Sequence, residues 1–259
     1  MLQGKTALVT GSTSGIGLAI ATVLAEQGAN LVLNGFGDAG EIESLRKGIE
    51  NKGVEAAYDG ADMRDPAAIE TMMHAAAQRF GAVDILVNNA GIQHVAPLED
   101  FPTERWDAVI AINLSAVFHT TRHAIAGMKR RGWGRIVNIA SVQGLIGSVH
   151  KAAYVAAKHG VNGLTKVTAL EAAGTGVTCN SICPGWVLTP LVQKQVDAKA
   201  EALGLSDEEA KVALVAERMP SKEFVTPEQI GGLAVFLCSP AADNMTGTHL
   251  PIDGAWVAQ

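Results

Sequence analysis

Disulfides, membrane spans and nucleic-acid binding find little support in this chain. Its three cysteines, Cys179, Cys183 and Cys238, form no paired pattern, which excludes a disulfide framework. Cys179 and Cys183 bracket a predicted buried strand and read as small core residues, not as metal or redox groups. That usage makes a reducing, cytoplasmic compartment the expectation. No apolar run approaches the roughly 18 residues of a membrane helix, so no membrane association is expected. The N-terminus runs into the first predicted strand at once, so no signal peptide is expected. The net charge of −6 argues against nucleic acid as a partner. Repeats, linkers and low-complexity segments are absent, so residues 1–259 are expected to form a single domain.

What remains is an apolar chain, 48% hydrophobic, in which short apolar runs alternate with helical patterns. Strands are predicted at 5–10, 30–34, 54–58, 83–88, 135–140, 176–182 and 248–252. Helices are predicted at 15–27, 39–51, 66–79, 104–130 (broken in its course), 152–173 and 227–238. Such alternation implies an α/β, doubly wound Rossmann fold: a parallel seven-stranded sheet with helices on both faces. Asp65-Pro66 signals one helix start. Thr226 to Gln229 forms a capping box at another. Residues 187–221 break the rhythm with two amphipathic segments, about 190–203 and 206–218. Inserted after a strand's carboxyl end, they read as a helical substrate lid.

The chemistry is concentrated in KAAYVAAKHG. Tyr154 and Lys158 stand four residues apart on a predicted helix, hence on one face. A phenol with a pKa of about 10 is a poor base at neutral pH. An adjacent ammonium is expected to lower it into the working range. Ser141 ends the apolar run Ile136–Ala140, where open α/β sheets bind ligands. A hydroxyl, a tunable phenol and a cation suit carbonyl reduction or alcohol oxidation, given a hydride carrier. The carrier's site is read at the first strand's end, in Gly11-Ser12-Thr13-Ser14-Gly15-Ile16-Gly17. Strand, glycine turn and helix together offer a pyrophosphate close backbone approach and free N–H groups.

The chain resembles the short-chain dehydrogenases/reductases. The matching pieces are TGSTSGIG (10–17), NNAG (88–91), Asn113, Ser141, YVAAK (154–158) and PGW (184–186), in that order. The likeness covers essentially all 259 residues. Within the family, NGFG (34–37), NNAGIQH (88–94), LEDFPTERW (98–106), NLSAVFH (113–119), AAYVAAKHGV (152–161) and ICPGW (182–186) resemble the bacterial D-3-hydroxybutyrate dehydrogenases. The resemblance implies a catalytic tetrad of Asn113, Ser141, Tyr154 and Lys158, with Tyr154 as general acid/base. It also implies cofactor contacts from Asp62, Asn89, Ala90, Gly91, Pro184, Gly185 and Thr189, and a homotetramer. For the substrate carboxylate it implies Gln93, Lys151 and Gln195. Trp186, Leu214 and Trp256 are candidate walls for the small methyl group.

Two departures stand out. The acidic residue that often binds the adenosine ribose is here Gly35, followed by Phe36. No arginine or lysine occupies 12–14 or 34–38 to neutralise an extra phosphate, so NAD is the expected cofactor, with Phe36 as an apolar wall. Where those relatives commonly carry a histidine, this chain has Gln143, a neutral hydrogen-bond donor to the substrate. His150 is the candidate compensating cation. His119 and His123 have metal-ligand spacing, but without a third ligand in view no catalytic metal is expected. Overall the expectation is NAD-dependent oxidation of a small 3-hydroxy acid, D-3-hydroxybutyrate. Reduction of another 3-oxo acid, a 3-oxoacyl thioester or a polyol stays open. So do a non-catalytic NAD(H) sensor and a structural subunit.

Overall fold

Seven short strands form one parallel sheet in the computed structural model, which describes residues 1–258, Pro190 and Leu191 by backbone alone. They are β1 (Thr6–Val9), β2 (Asn30–Asn34), β3 (Ala56–Asp59), β4 (Ile85–Asn88), β5 (Gly134–Ile139), β6 (Val177–Pro184) and β7 (His249–Ile252). Their order is β3-β2-β1-β4-β5-β6-β7. The winding direction reverses between β1 and β4, which opens a crevice at the carboxyl ends of those strands.

Strands covered on both faces need an apolar residue at almost every position, which is why they read as unbroken runs. Along β1, Ala7 and Val9 enter one core and Leu8 the other. In β2, Leu31 and Leu33 oppose Val32 in the same way. One core is closed by α1 (Gly15–Glu26) and α9 (Pro227–Leu237) through Ile20, Leu24, Ile230 and Leu237. The other is closed by α3 (Pro66–Phe80), α5 (Ala116–Arg131) and α6 (Ala152–Ala172) through Ile69, Met72, Met128 and Ala169. Each fully buried Leu or Ile contributes about 1.5–3 kcal/mol. α2 (Ala39–Glu50) buries only Ile42 and Ile49.

Helix starts follow their caps. Asp65 accepts from Ala67 N–H ahead of Pro66, and Thr226 and Gln229 complete the expected capping box. The predicted helix 104–130 is indeed broken. It runs as α4 (Thr103–Ile110), a π-helical turn over Ala111–Ser115, then α5. π-turns often mark functional positions, and this one holds Asn113. The strand expected at 54–58 starts at Ala56 instead, because Glu55 N–H is taken by the Asn30 side chain.

The inserted segment forms α7 (Pro190–Leu203), ended by Gly204 in the left-handed region, and α8 (Asp207–Ala216), started by a Ser206–Glu209 capping box. Its apolar faces pack on each other through Val196, Ala210 and Leu214, backed by Trp186 and Phe224. Leu214 therefore belongs to the insert's own core, contrary to the expectation that it walls the substrate. Among the described residues no helix is long and apolar enough to cross a membrane.

Candidate active site

A cleft of about 420 Å³ lies across the carboxyl ends of β1, β4, β5 and β6. Its floor at one end is the glycine turn. A Cβ on Gly17 would sit 2.3 Å from the Gly11 carbonyl oxygen, so only glycine lets the turn close. Asn89 Nδ2 donates to the Thr10 and Gly11 carbonyls, and Thr10 Oγ1 accepts from the N–H groups of Asn89 and Ala90. The segment 89–91 thus clamps the turn as well as lining the cleft. Ser14 caps α1 without a side-chain hydrogen bond, and no acid stands in that helix's first turn. Its N-terminal N–H groups face the cleft with no side chain competing for them, which suits a pyrophosphate. Thr13, Ser14, Gly15 and Ile16 line this end. The residues fit a dinucleotide.

The same cleft is lined by Phe36, Asp62, Ala90, Gly91, Pro184, Gly185 and Thr189. Phe36 is 67% exposed. Gly35 has φ +146°, and a Cβ there would meet Thr13 Oγ1 at 2.6 Å. An acidic side chain at 35 would strain the backbone and push Thr13 aside, which disfavours the usual acid there. Asp62 is held by Arg64 at 2.6 Å, whose guanidinium keeps the carboxyl below its usual range. Thr189 also caps α7, its hydroxyl accepting from Val192 N–H.

Ser141 leaves β5 and caps a short 3₁₀ turn, accepting from Gln143 N–H at 3.1 Å. Tyr154 and Lys158 face it from α6, and all three line the cleft. Lys158 is 4% exposed. Its Nζ donates to the Ile139 carbonyl at 2.7 Å and lies 5.5 Å from the Tyr154 ring centre. The expected lowering of the phenol pKa by Lys158 is not found. Burial pushes Tyr154 up, the Ser141 hydroxyl opposing, because desolvation outweighs the local polar contacts. Burial likewise lowers Lys158 to about 8. Between pH 8 and about 10.5 the unfolded chain then binds the extra proton, so stability rises with pH in that window. The cofactor-free protein should gain most of about 3 kcal/mol relative to Lys158→Met across it. Urea unfolding at the two ends of the window checks this; a constant gap would contradict it.

At the other end stand Gln93, Gln143, Lys151, Trp186, Gln195 and Trp256. Trp186 and Trp256 stack with centroids 6.0 Å apart. The Lys151 ammonium lies 5.2 Å over the Trp186 ring. Burial and then Arg218 lower its pKa. His150 is exposed and stays outside the cleft.

Besides Leu214 and His150, two further expected residues do not line it. Gly17 lies behind the turn. Asn113 is fully buried, accepting from Ile92 N–H at 2.9 Å and donating to its carbonyl at 3.0 Å. Its side chain fixes the loop after β4, a positioning role. Met63, Ile92 and Val192 also line the cleft, apolar positions with no chemical signature in the sequence. Asn34 lines it too. Its side chain accepts from Gly11 N–H and donates to the Asp59 and Ala61 carbonyls, tying three loops together. A polar residue ending the run NLVLN was the available sign. Arg218, which acts on Lys151, likewise carries no signal in the sequence. His123 is joined on the outer surface by Glu70 and His74, ligand types that sequence spacing alone did not bring near it.

The short chain dehydrogenase family model matches residues 5–200. A D-beta-hydroxybutyrate dehydrogenase of Cupriavidus necator is 62% identical over 259 residues, covering all of both chains. One from Rhizobium meliloti is 54% identical, over 98% of this chain and 99% of its own. A crystal structure of actinorhodin polyketide ketoreductase with NADPH superposes with a TM-score of 0.91 at 38% identity, over 99% of each chain. Fold, glycine turn and Ser-Tyr-Lys cluster agree with these likenesses: the chain belongs to the short-chain dehydrogenase family of oxidoreductases.

Proposed function

We propose that this protein oxidises D-3-hydroxybutyrate to acetoacetate, reversibly, with NAD. The observation that carries this reading is one cleft holding a dinucleotide cradle, the Ser141–Tyr154–Lys158 cluster, and a cation among three amides. Lys151 with Gln93, Gln143 and Gln195 suits a short carboxylate, since a charge-assisted bond plus amide donors fixes both oxygens. Trp186 and Trp256 form the apolar wall for the methyl group.

When bound, oxidised nicotinamide would supply the hydride acceptor. Tyr154 Oη, as phenolate, takes the proton of the substrate hydroxyl. Ser141 Oγ donates to the same substrate oxygen and holds it in line. Lys158 supplies a cation that favours the phenolate and would bond the ribose of a bound cofactor. Asn113, through the π-turn, positions the loop carrying Gln93. The carbinol hydrogen leaves as hydride, its carbon becomes the ketone, and the proton resides on Tyr154 until solvent removes it. In reduction every transfer reverses. Residues 187–221 act as a lid excluding water, with Val192 and Gln195 facing the substrate. Exposed Trp106, Phe118, Val167 and Leu170 on α4, α5 and α6 support assembly through these helices, as a homotetramer in the cytoplasm.

Nothing basic at 34–38 balances an additional phosphate, so catalytic efficiency should favour NAD over NADP by about a hundredfold, the loss of one or two charge-assisted contacts. Initial rates with each cofactor and with D- and L-3-hydroxybutyrate test the assignment. No turnover of the D acid rejects the substrate, and parity or an NADP preference rejects the cofactor.

A further inference from the structure

We infer that Glu70, His74 and His123 form a binding site for a divalent transition-metal ion on the outer surface of the α3–α5 pair. Glu70 and His74 stand four residues apart on α3, hence on one face. His123 faces them from α5. One ligand atom from each lies within 4.8 Å of the others, and the two imidazole rings meet edge to face at 5.9 Å. Two helices bring these residues together across about fifty positions of sequence.

Three features turn proximity into a site. First, the helices that carry the ligands are anchored from beneath by Ile69, Met72, Met73, Ala124 and Met128, so the backbone separation is fixed. Second, among the described residues none of the three side chains has a hydrogen-bond or ion-pair partner. The exposed carboxylate faces imidazoles where a lysine or arginine would ordinarily pair with it. Third, two nitrogens and one carboxylate form a donor set that suits Zn²⁺, Co²⁺, Ni²⁺ or Cu²⁺, whereas Mg²⁺ and Ca²⁺ prefer oxygen alone. Around tetrahedral zinc, ligand atoms lie about 3.4 Å apart. Rotation of the exposed Glu70 and His74 side chains covers that difference, and water completes the shell. His119, one turn before His123, packs on the Phe118 ring and stays outside the cluster.

None of the three residues lines the catalytic cleft, so the ion has no part in hydride transfer. It cross-links α3 to α5 and stabilises the folded chain by mass action.

Calorimetric titration of zinc chloride into dialysed full-length protein tests this, with magnesium chloride as the control. One zinc per chain should bind, and the unfolding temperature should rise with zinc concentration. His74→Ala should weaken binding by at least about tenfold, the range that even partners of a metal ligand command. Its turnover and unfolding temperature in chelator should match the parent's. If either falls, Glu70→Gln, of nearly equal shape, repeats the measurement. Absence of saturable zinc binding overturns the site. So does binding undiminished in the substituted chain, or equal affinity for magnesium.

Discussion

Tyr154→Phe should lower kcat for 3-hydroxybutyrate oxidation by about three orders of magnitude, within the range that a positioned acid/base commands. The substitution removes one oxygen and leaves the ring in the cleft wall, so NAD affinity should stay within about twofold. Steady-state kinetics and a cofactor titration separate the two. Turnover within tenfold of the parent would show that another group moves the proton. The same phenol gives the two directions opposite pH trends. Burial holds Tyr154 above its ordinary value, and oxidation needs it ionised, so the oxidative rate rises with pH. Reduction needs it protonated, so that rate falls as pH rises. Parallel trends would also count against the phenol.

The second large effect concerns substrate affinity. Lys151→Ala should raise KM for 3-hydroxybutyrate about thirty- to a hundredfold, equivalent to about 2–3 kcal/mol for a charged contact. kcat should change far less, because the carboxylate is remote from the reacting carbon. The wild-type KM should itself rise with pH in the alkaline range. Burial and Arg218 lower the Lys151 pKa, so its charge is lost before an exposed lysine would lose its own. Lys151→Gln should recover part of the affinity by keeping a donor. An unchanged KM in Lys151→Ala would assign the carboxylate to other groups.

Much of this site was legible in the sequence, and what was hidden has a common cause. Ser141, Tyr154 and Lys158 could be read because each follows from local geometry: a strand end, and two positions one helical turn apart. The glycine turn was legible for the same reason. Contacts between distant segments were not. That Thr13 would crowd a side chain at 35 depends on two loops meeting, and no spacing rule reports it. Leu214 went to the wrong partner because an amphipathic helix shows that it has an apolar face, not which neighbour covers it. The neighbour is the other helix of the insert. The expected pull of Lys158 on Tyr154 rested on charge alone. The structure adds burial, which acts on both groups and raises the phenol while lowering the amine. Glu70 and His74 stayed apart from His123 in the sequence for want of knowing that α3 and α5 lie side by side.

The π-turn at 111–115 has a consequence for how this chain tolerates change in length. Such a turn is an α-helix carrying one surplus residue. Deleting any one residue there would let α4 and α5 fuse into a single regular rod. Everything downstream would then swing by about 100° about the axis, lifting Met128 out of the interior and drawing Asn113 away from Ile92. The irregularity works as a spacer that keeps two otherwise incompatible rotational settings in register, one for the loop beside the cleft and one for the sheet.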